Sequence, residues 1–239
     1  MIHTTKPKGL LISFDGLDST GKATQTKKAA LRLKQAGHTV LEFSSPDYTT
    51  PLGQELKLRL QGKLGDWKHT PWQEKLRYFA HNRAEHRDAV VAALEAGCVV
   101  VYDRYVPSSL AFITVEALPA QEVDLFRKDI YQAIEREEYE IHKMPREDVS
   151  VFLDVPPDIA SKLLDYRKKH NQDEDEYTDH VHVQERLYNE YDVMCCEQPN
   201  RFCRIHCRDN GHMLGIDEIA EHVWQSLVTR FPELAKKIG

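Results

Sequence analysis

The sequence predicts an α/β protein built on one open, doubly wound parallel sheet with helices on both faces. Three observations carry this expectation. Five short apolar runs recur along the 239 residues, and longer stretches with helical spacing separate them. Glycines punctuate the element ends. No composition break or internal repeat divides the chain, so residues 1–239 read as a single domain.

The strand candidates are Leu10–Phe14, Thr39–Phe43, Cys98–Tyr102, Ser150–Val155 and Phe202–Cys207. They are short apolar runs of the kind buried in parallel sheets. Helical spacing runs through Lys22–Ala36, Leu52–Gln61, Trp72–Glu95, Gln121–Tyr139, Asp158–Lys168, His182–Cys195 and Ile216–Phe231, with Gly37, Gly97 and Gly211 closing elements. Right-handed crossovers between parallel strands place ligands outside the strands' carboxyl ends. Three segments fall there: the loop after the first strand, Ser44–Thr50 after the second, and Asp103–Phe112 after the third.

Composition narrows the class. The net charge of −6 gives nucleic-acid binding no global electrostatic support. No apolar run approaches the ~20 residues that span a bilayer, so no membrane partner is expected. Met1–Lys8 lacks the apolar core of a secretion signal. Five cysteines without framework spacing argue against a secreted disulfide scaffold. The expected location is cytoplasmic. Cys203, Ile205 and Cys207 alternate on the last strand candidate, which reads more simply as buried small hydrophobes than as a zinc site.

The loop after the first strand is the most informative stretch. Gly16-Leu17-Asp18-Ser19-Thr20-Gly21-Lys22 stands between a strand and a helix, the arrangement of a phosphate-cradling P-loop. Glycines let backbone N–H groups turn inward, the helix N-terminus adds partial positive charge, and Lys22 reaches the β- and γ-phosphates. The donor-nucleotide contacts expected are therefore Gly16 through Lys22, continuing to Ala23 and Thr24. Ala23 stands where a hydroxyl commonly helps to hold Mg²⁺. Thr24 cannot replace it, because one helical position turns a side chain by about 100°. Either the metal is held through water and another carboxylate, or nucleotide hydrolysis is impaired.

The third strand delivers Asp103 and Arg104 to the same edge. Asp103 is expected to anchor Mg²⁺ through water, and Arg104 to grip a second phosphate. A P-loop with an extra phosphate-gripping Arg points to transfer between two phosphorylated molecules, which needs positioning and charge neutralisation above all. The polar run 170–179 follows Arg167, Lys168 and Lys169. Its place after the fourth strand suits a mobile lid over about 168–180, with the basic end facing the nucleotide.

From Lys8 to Leu227 the chain resembles the thymidylate kinase family of P-loop nucleoside monophosphate kinases. Similar segments follow in order: Phe14–Gln25 with the acidic Asp18, Ser45-Pro46-Asp47-Tyr48 with Thr50 and Gly53, Tyr78–Arg83, Asp103–Phe112, and Leu153–Asp158. The resemblance implies a three-layer α/β/α P-loop NTPase fold, ATP as phosphoryl donor, Mg²⁺ as cofactor, dTMP as acceptor with dTDP and ADP as products, and a homodimer. By the same resemblance Phe79 would stack on thymine and Arg83 would donate to its O4. Arg104 and Tyr48 would hold the acceptor phosphate, and Asp18 would accept from the deoxyribose 3′-hydroxyl. Tyr105 and Phe112 would crowd the 2′ position, and Ser108 or Ser109 would serve the base edge. Asp175–Asp179 lacks the family's lid Arg, leaving Arg167 or Arg186 to substitute. Lys22, Asp18, Arg104 and Arg167 are thus the expected catalytic groups. The alternatives are a related deoxynucleotide or deoxynucleoside kinase, and a nucleotide-binding regulatory protein with a decayed site.

Overall fold

The computed structural model describes residues 9–170 and 181–235. Five parallel strands form the sheet: β1 (Leu10–Asp15), β2 (Val40–Ser44), β3 (Val99–Asp103), β4 (Val149–Asp154) and β5 (Phe202–His206), in the order β2-β3-β1-β4-β5. The strand order reverses beside β1, so the loop after β1 opens at the switch point where such sheets bind ligands. Consecutive residues of a strand face opposite sides. Leu11, Ile12, Ser13 and Phe14 are all fully buried, so both faces of the sheet are covered.

Helix α1 (Lys22–Gln35) buries Ala29, Ala30 and Leu33 against the sheet and keeps Arg32 and Lys34 in its last turn, where cations suit the negative end of the helix. It is tied to α9 (Ile216–Arg230) by Gln25, whose Nε2 donates to the Ile216 carbonyl at 2.9 Å, and by the Arg32–Glu221 ion pair. Helix α2 (Pro51–Leu60) starts on Thr50, whose hydroxyl accepts from the Gly53 N–H at 3.0 Å, with Pro51 in the first turn. A Cβ on Gly53 would lie 1.7 Å from the Asp47 carbonyl oxygen, so only glycine lets the Asp47 loop close over α2.

Three elements differ from the sequence expectation. The long helix expected over Trp72–Glu95 is two helices, α3 (Trp72–Ala84) and α4 (Arg87–Glu95). No Gly or Pro marks the break. Side chains around it are drawn to the Asp47–Thr50 loop: Asn82 accepts from the Asp47 N–H at 2.8 Å, Glu85 accepts from the Thr50 hydroxyl at 2.7 Å, and His86 meets the Asp47 carboxylate at 2.8 Å. The segment Val106–Ala117, which overlaps the Asp103–Phe112 segment and carries no expected helix, is helix α5. It is apolar nearly all round because α3, α6 (Val123–Glu135) and α8 (Val181–Glu197) surround it, so it shows no amphipathic period. Gly211 belongs to a small hairpin, β6 (Arg208–Asp209) and β7 (His212–Met213). Asn210 and Gly211 both take positive φ there, as a two-residue hairpin turn requires.

Helix α6 passes into a π-helical turn, Arg136–Ile141, before β4. After β4 come α7 (Pro157–His170) and α8. The lid expected over about 168–180 falls almost wholly outside the described residues. Among the described residues no helix is long and apolar enough to cross a membrane.

Candidate active site

The loop from Gly16 to Gly21 joins β1 to α1. Gly16, Ser19 and Gly21 take φ of 146°, 60° and 88°. Such left-handed backbone suits glycine and marks a built site where a serine shares it. A Cβ on Gly16 would come within 3.2 Å of the Leu153 carbonyl oxygen. Gly21 caps α1 and among the described residues no side chain caps that end, so the first-turn N–H groups lack a side-chain acceptor there. The Ser19 hydroxyl is buried without a partner among the described residues. Lys22 is only 6% exposed and donates to the Leu17 carbonyl, which also accepts from the Thr20 hydroxyl at 2.8 Å. Burial, with Arg104 nearby, lowers the Lys22 pKa from 10.5 to about 7, against the pull of Asp18, Asp103 and Asp15. Uncapped N–H donors and a desolvated lysine make a cradle fitted to phosphate oxygens.

Beneath the loop, Asp15 is fully buried and accepts from Ser13 (2.7 Å), Ser150 (2.9 Å), Ser108 (2.7 Å) and the Tyr105 N–H (3.2 Å). It locks the floor of the phosphate loop to the start of α5. Sequence reasoning gave Asp15 no role. Its position at the carboxyl end of a central strand was the available signal.

Arg104 follows β3 with φ of 65°, a left-handed non-glycine residue. That turn aims its guanidinium back over the loop. It pairs with the Asp18 carboxylate and donates to the Gly16 carbonyl at 3.1 Å and the Ser108 hydroxyl at 3.3 Å. Its carbon lies 5.2 Å from the Phe112 ring centroid. Asp18 and Arg104, expected on different parts of the acceptor, are thus partners of each other.

This pair forms one end of a cavity of about 100 Å³. Phe79, Leu60, Phe112, Ile113 and Pro46 make its apolar walls, and Arg83, Ser45, Ser108, Ser109 and Tyr48 its remaining polar ones. Phe79 is held edge-on by the buried Trp67, with centroids 6.2 Å apart. Arg83 is buried and paired to Glu138 of the π-helical turn. It also donates to the Tyr105 carbonyl and the Ser109 hydroxyl, each at 3.3 Å. Leu60, Trp67 and Glu138 were missed by sequence reasoning. For Glu138 the spacing was a signal, since it stands four residues beyond Ile134 on the buried stripe of α6.

Tyr105, expected beside Phe112, does not line the cavity. It is fully buried, and its hydroxyl donates to the Pro145 carbonyl at 2.7 Å. With the backbone turned at Arg104, the Tyr105 ring packs inward on Tyr102, 4.7 Å away.

On the other side of the loop, Ala23, Thr26, Lys27, Glu42, Asp47 and Asp103 line a recess of about 290 Å³. Burial raises the Asp103 pKa, although Arg104 and Lys22 partly oppose it. Asp103 and Ala23 therefore share one wall, and Thr24 is exposed outside it. Arg186 is tied to the Leu118 carbonyl at the end of α5, which takes it from the phosphate loop. Arg167 lies in the last turns of α7, and its side chain is outside the described residues.

A glycine-bounded phosphate loop beside a basic, aromatic-walled cavity, both at the switch point of a five-stranded parallel sheet, defines a P-loop α/β protein of the kinase type. Residues 14–209 match the family model of thymidylate kinase. The chain belongs to the thymidylate kinase family. It is 33% identical over 154 residues to a thymidylate kinase of Xanthomonas euvesicatoria pv. vesicatoria (strain 85-10), covering 64% of this chain and 59% of that protein. A thymidylate kinase of Xanthomonas oryzae pv. oryzae (strain PXO99A) is 33% identical over 153 residues, again 64% and 59% of the two chains. One from Enterococcus faecalis (strain ATCC 700802 / V583) is 22% identical over 230 residues, 95% of this chain and 99% of that one. The chain thus spans about three fifths of the length of the Xanthomonas relatives.

Proposed function

We propose that this protein transfers the γ-phosphoryl group of ATP to dTMP, giving dTDP and ADP. The observation that carries the reading is the single cavity that runs from Phe79 and Arg83 to the Arg104–Asp18 pair on the phosphate loop. It offers an aromatic face and a donor edge suited to a pyrimidine base together with a grip for its phosphate.

The roles follow from the chemistry of each side chain. The N–H groups of Gly16 to Ala23, with Lys22, hold the donor phosphates, and Thr24 caps the outer edge of that contact. Arg104 and Tyr48 hold the acceptor phosphate beside them. Asp18 accepts from the 3′-hydroxyl, and Phe112 closes the sugar side. Phe79 stacks on the base, Arg83 donates to O4, and Ser109, with Ser108 behind it, meets the ring edge. The acceptor phosphate oxygen is already an anion near neutral pH, so it attacks the γ-phosphorus without a general base. The P–O bond to ADP breaks as the new one forms, and Lys22 neutralises charge on the moving group. Mg²⁺, bound with the donor, would neutralise phosphate charge, and Asp103 would hold it through water, which suits an ion that keeps several waters.

Arg167 completes this reading as the lid cation that closes on the donor. The reading also keeps residues 1–239 as one domain, a cytoplasmic location, and a homodimer, for which the exposed Leu125 and Phe126 of α6 offer apolar surface. Coupled ADP-release assays over dTMP, dCMP, dAMP, dGMP and thymidine test it. A preference for dTMP is expected, and equal turnover of dTMP and dCMP refutes thymine selection.

A further inference from the structure

We propose that Glu138 is a positioning residue for recognition of the acceptor base. From the π-helical turn it holds the Arg83 guanidinium at the cavity wall and cancels its charge, so the wall accepts a neutral carbonyl edge. The proposal rests on the reading of this cavity as the acceptor-base site.

The two arginines of the cavity are served differently. Arg104 has its counter-ion, Asp18, on the phosphate loop, and that carboxylate keeps 19% of its side-chain surface exposed. The Arg83 and Glu138 side chains are 2% and 0% exposed. A phosphate brings its own negative charge, so Arg104 needs no permanent buried partner. A base carbonyl carries no formal charge, and a desolvated guanidinium aimed at it needs an anion from the protein. Glu138 supplies it.

The geometry also fixes direction. One Glu138 oxygen takes the Arg83 Nη1 and, at 3.3 Å, the Ser109 hydroxyl. Arg83 Nη2 spans the Tyr105 carbonyl and the same Ser109 hydroxyl. The guanidinium carbon sits 5.5 Å from the centroid of the Tyr105 ring. Glu138 therefore fixes both the cavity donor Arg83 and the Ser109 hydroxyl, whose proton it accepts, through one carboxylate. The π-helical turn delivers it, and such turns recur at functional sites. Along α6 the stripe of Ile130 and Ile134 ends on this carboxylate, where a purely structural helix would continue apolar.

The test is steady-state kinetics with dTMP and dCMP on the parent, Glu138→Gln and Glu138→Asp. Glu138→Gln should raise the KM for dTMP about tenfold and lower the dTMP-to-dCMP ratio of kcat/KM by a similar factor, with kcat moving much less. Glu138→Asp keeps the buried charge, and so the fold, but shortens the reach by one methylene. It should give the same change in KM and ratio, smaller in size. A residue that only supports the fold would lower kcat for both acceptors together and leave the ratio intact. That result with either variant, in a parent that prefers dTMP, overturns the role of Glu138. A parent that treats dTMP and dCMP alike overturns the acceptor-site reading beneath it.

Discussion

Lys22 offers the sharpest quantitative test. Its ammonium is buried under the phosphate loop, and that burial, with Arg104 close by, lowers its pKa from 10.5 to about 7. At pH 8 the free protein then holds a proton on only ~10% of Lys22 side chains. Phosphate oxygens in the loop would restore the ordinary pKa, because opposite charge favours the ammonium. Binding of ADP, itself fully ionised at pH 8, should therefore take up ~0.9 proton at Lys22, falling to ~0.1 proton at pH 6. Titration calorimetry in buffers of different ionisation enthalpy measures that uptake. The same shift affects stability. Because the folded pKa lies below the unfolded one, the unfolded chain binds more protons between about pH 7 and 10.5, and stability rises with pH across that window. Below pH 7 the buried charge costs on the order of 5 kcal/mol. Lys22→Met should thus raise the melting temperature by roughly 10 °C at pH 6, and the gain should vanish above pH 10.5. No proton uptake at pH 8, together with no stabilisation at pH 6, would refute the account of a desolvated lysine awaiting phosphate.

Arg104→Ala should raise the dTMP dissociation constant by roughly 10–100-fold, the worth of a charge-assisted contact, and binding as tight as the parent's by calorimetry would show that it does not grip the acceptor. Asp103→Asn should shift half-saturation to higher Mg²⁺ and cut turnover, whereas Ala23→Ser should change the Mg²⁺ requirement only modestly. Magnesium titrations check both, and an inactive parent rescued by Ala23→Ser would mean a decayed site. Asp15→Ala should cost ~3–5 kcal/mol in urea unfolding, because it strands the hydroxyls of Ser13, Ser108 and Ser150 in the core. A loss under 1 kcal/mol would show that the region repacks with ease. Phe79→Ala should weaken dTMP binding by ~1–3 kcal/mol, the worth of stacking a base on an aromatic ring, and an unchanged Kd would remove the stacking role.

The central strands β1, β3 and β4 were legible in the sequence because they are buried on both faces, and burial on both faces favours a mostly apolar run such as Leu10–Phe14 or Val99–Tyr102. The phosphate loop was legible because its conformation is local, with glycines at Gly16 and Gly21 where φ is positive. Helix α5 was not, since burial on every side erases the period that marks a helix. The break between α3 and α4 was hidden too, because the groups beside it, Asn82, Glu85 and His86, bind a loop some 35 residues back in the chain.

The site divides the same way. Sequence alone brought Lys22, Asp18, Asp103 and Arg104 to one sheet edge, because strand ends determine which residues emerge there, and only the family resemblance added Phe79 and Arg83 to them. Only the tertiary structure decided their partners. Arg104 took Asp18 from 86 positions away, and Arg83 took Glu138 from 55 away. Tyr105, adjacent to Arg104, turned into the core instead of the cavity. A residue's period and backbone preference are properties of its neighbours in the chain. Its counter-ion is set by which distant segments close against it, and a buried charge is stable only where that closure supplies one.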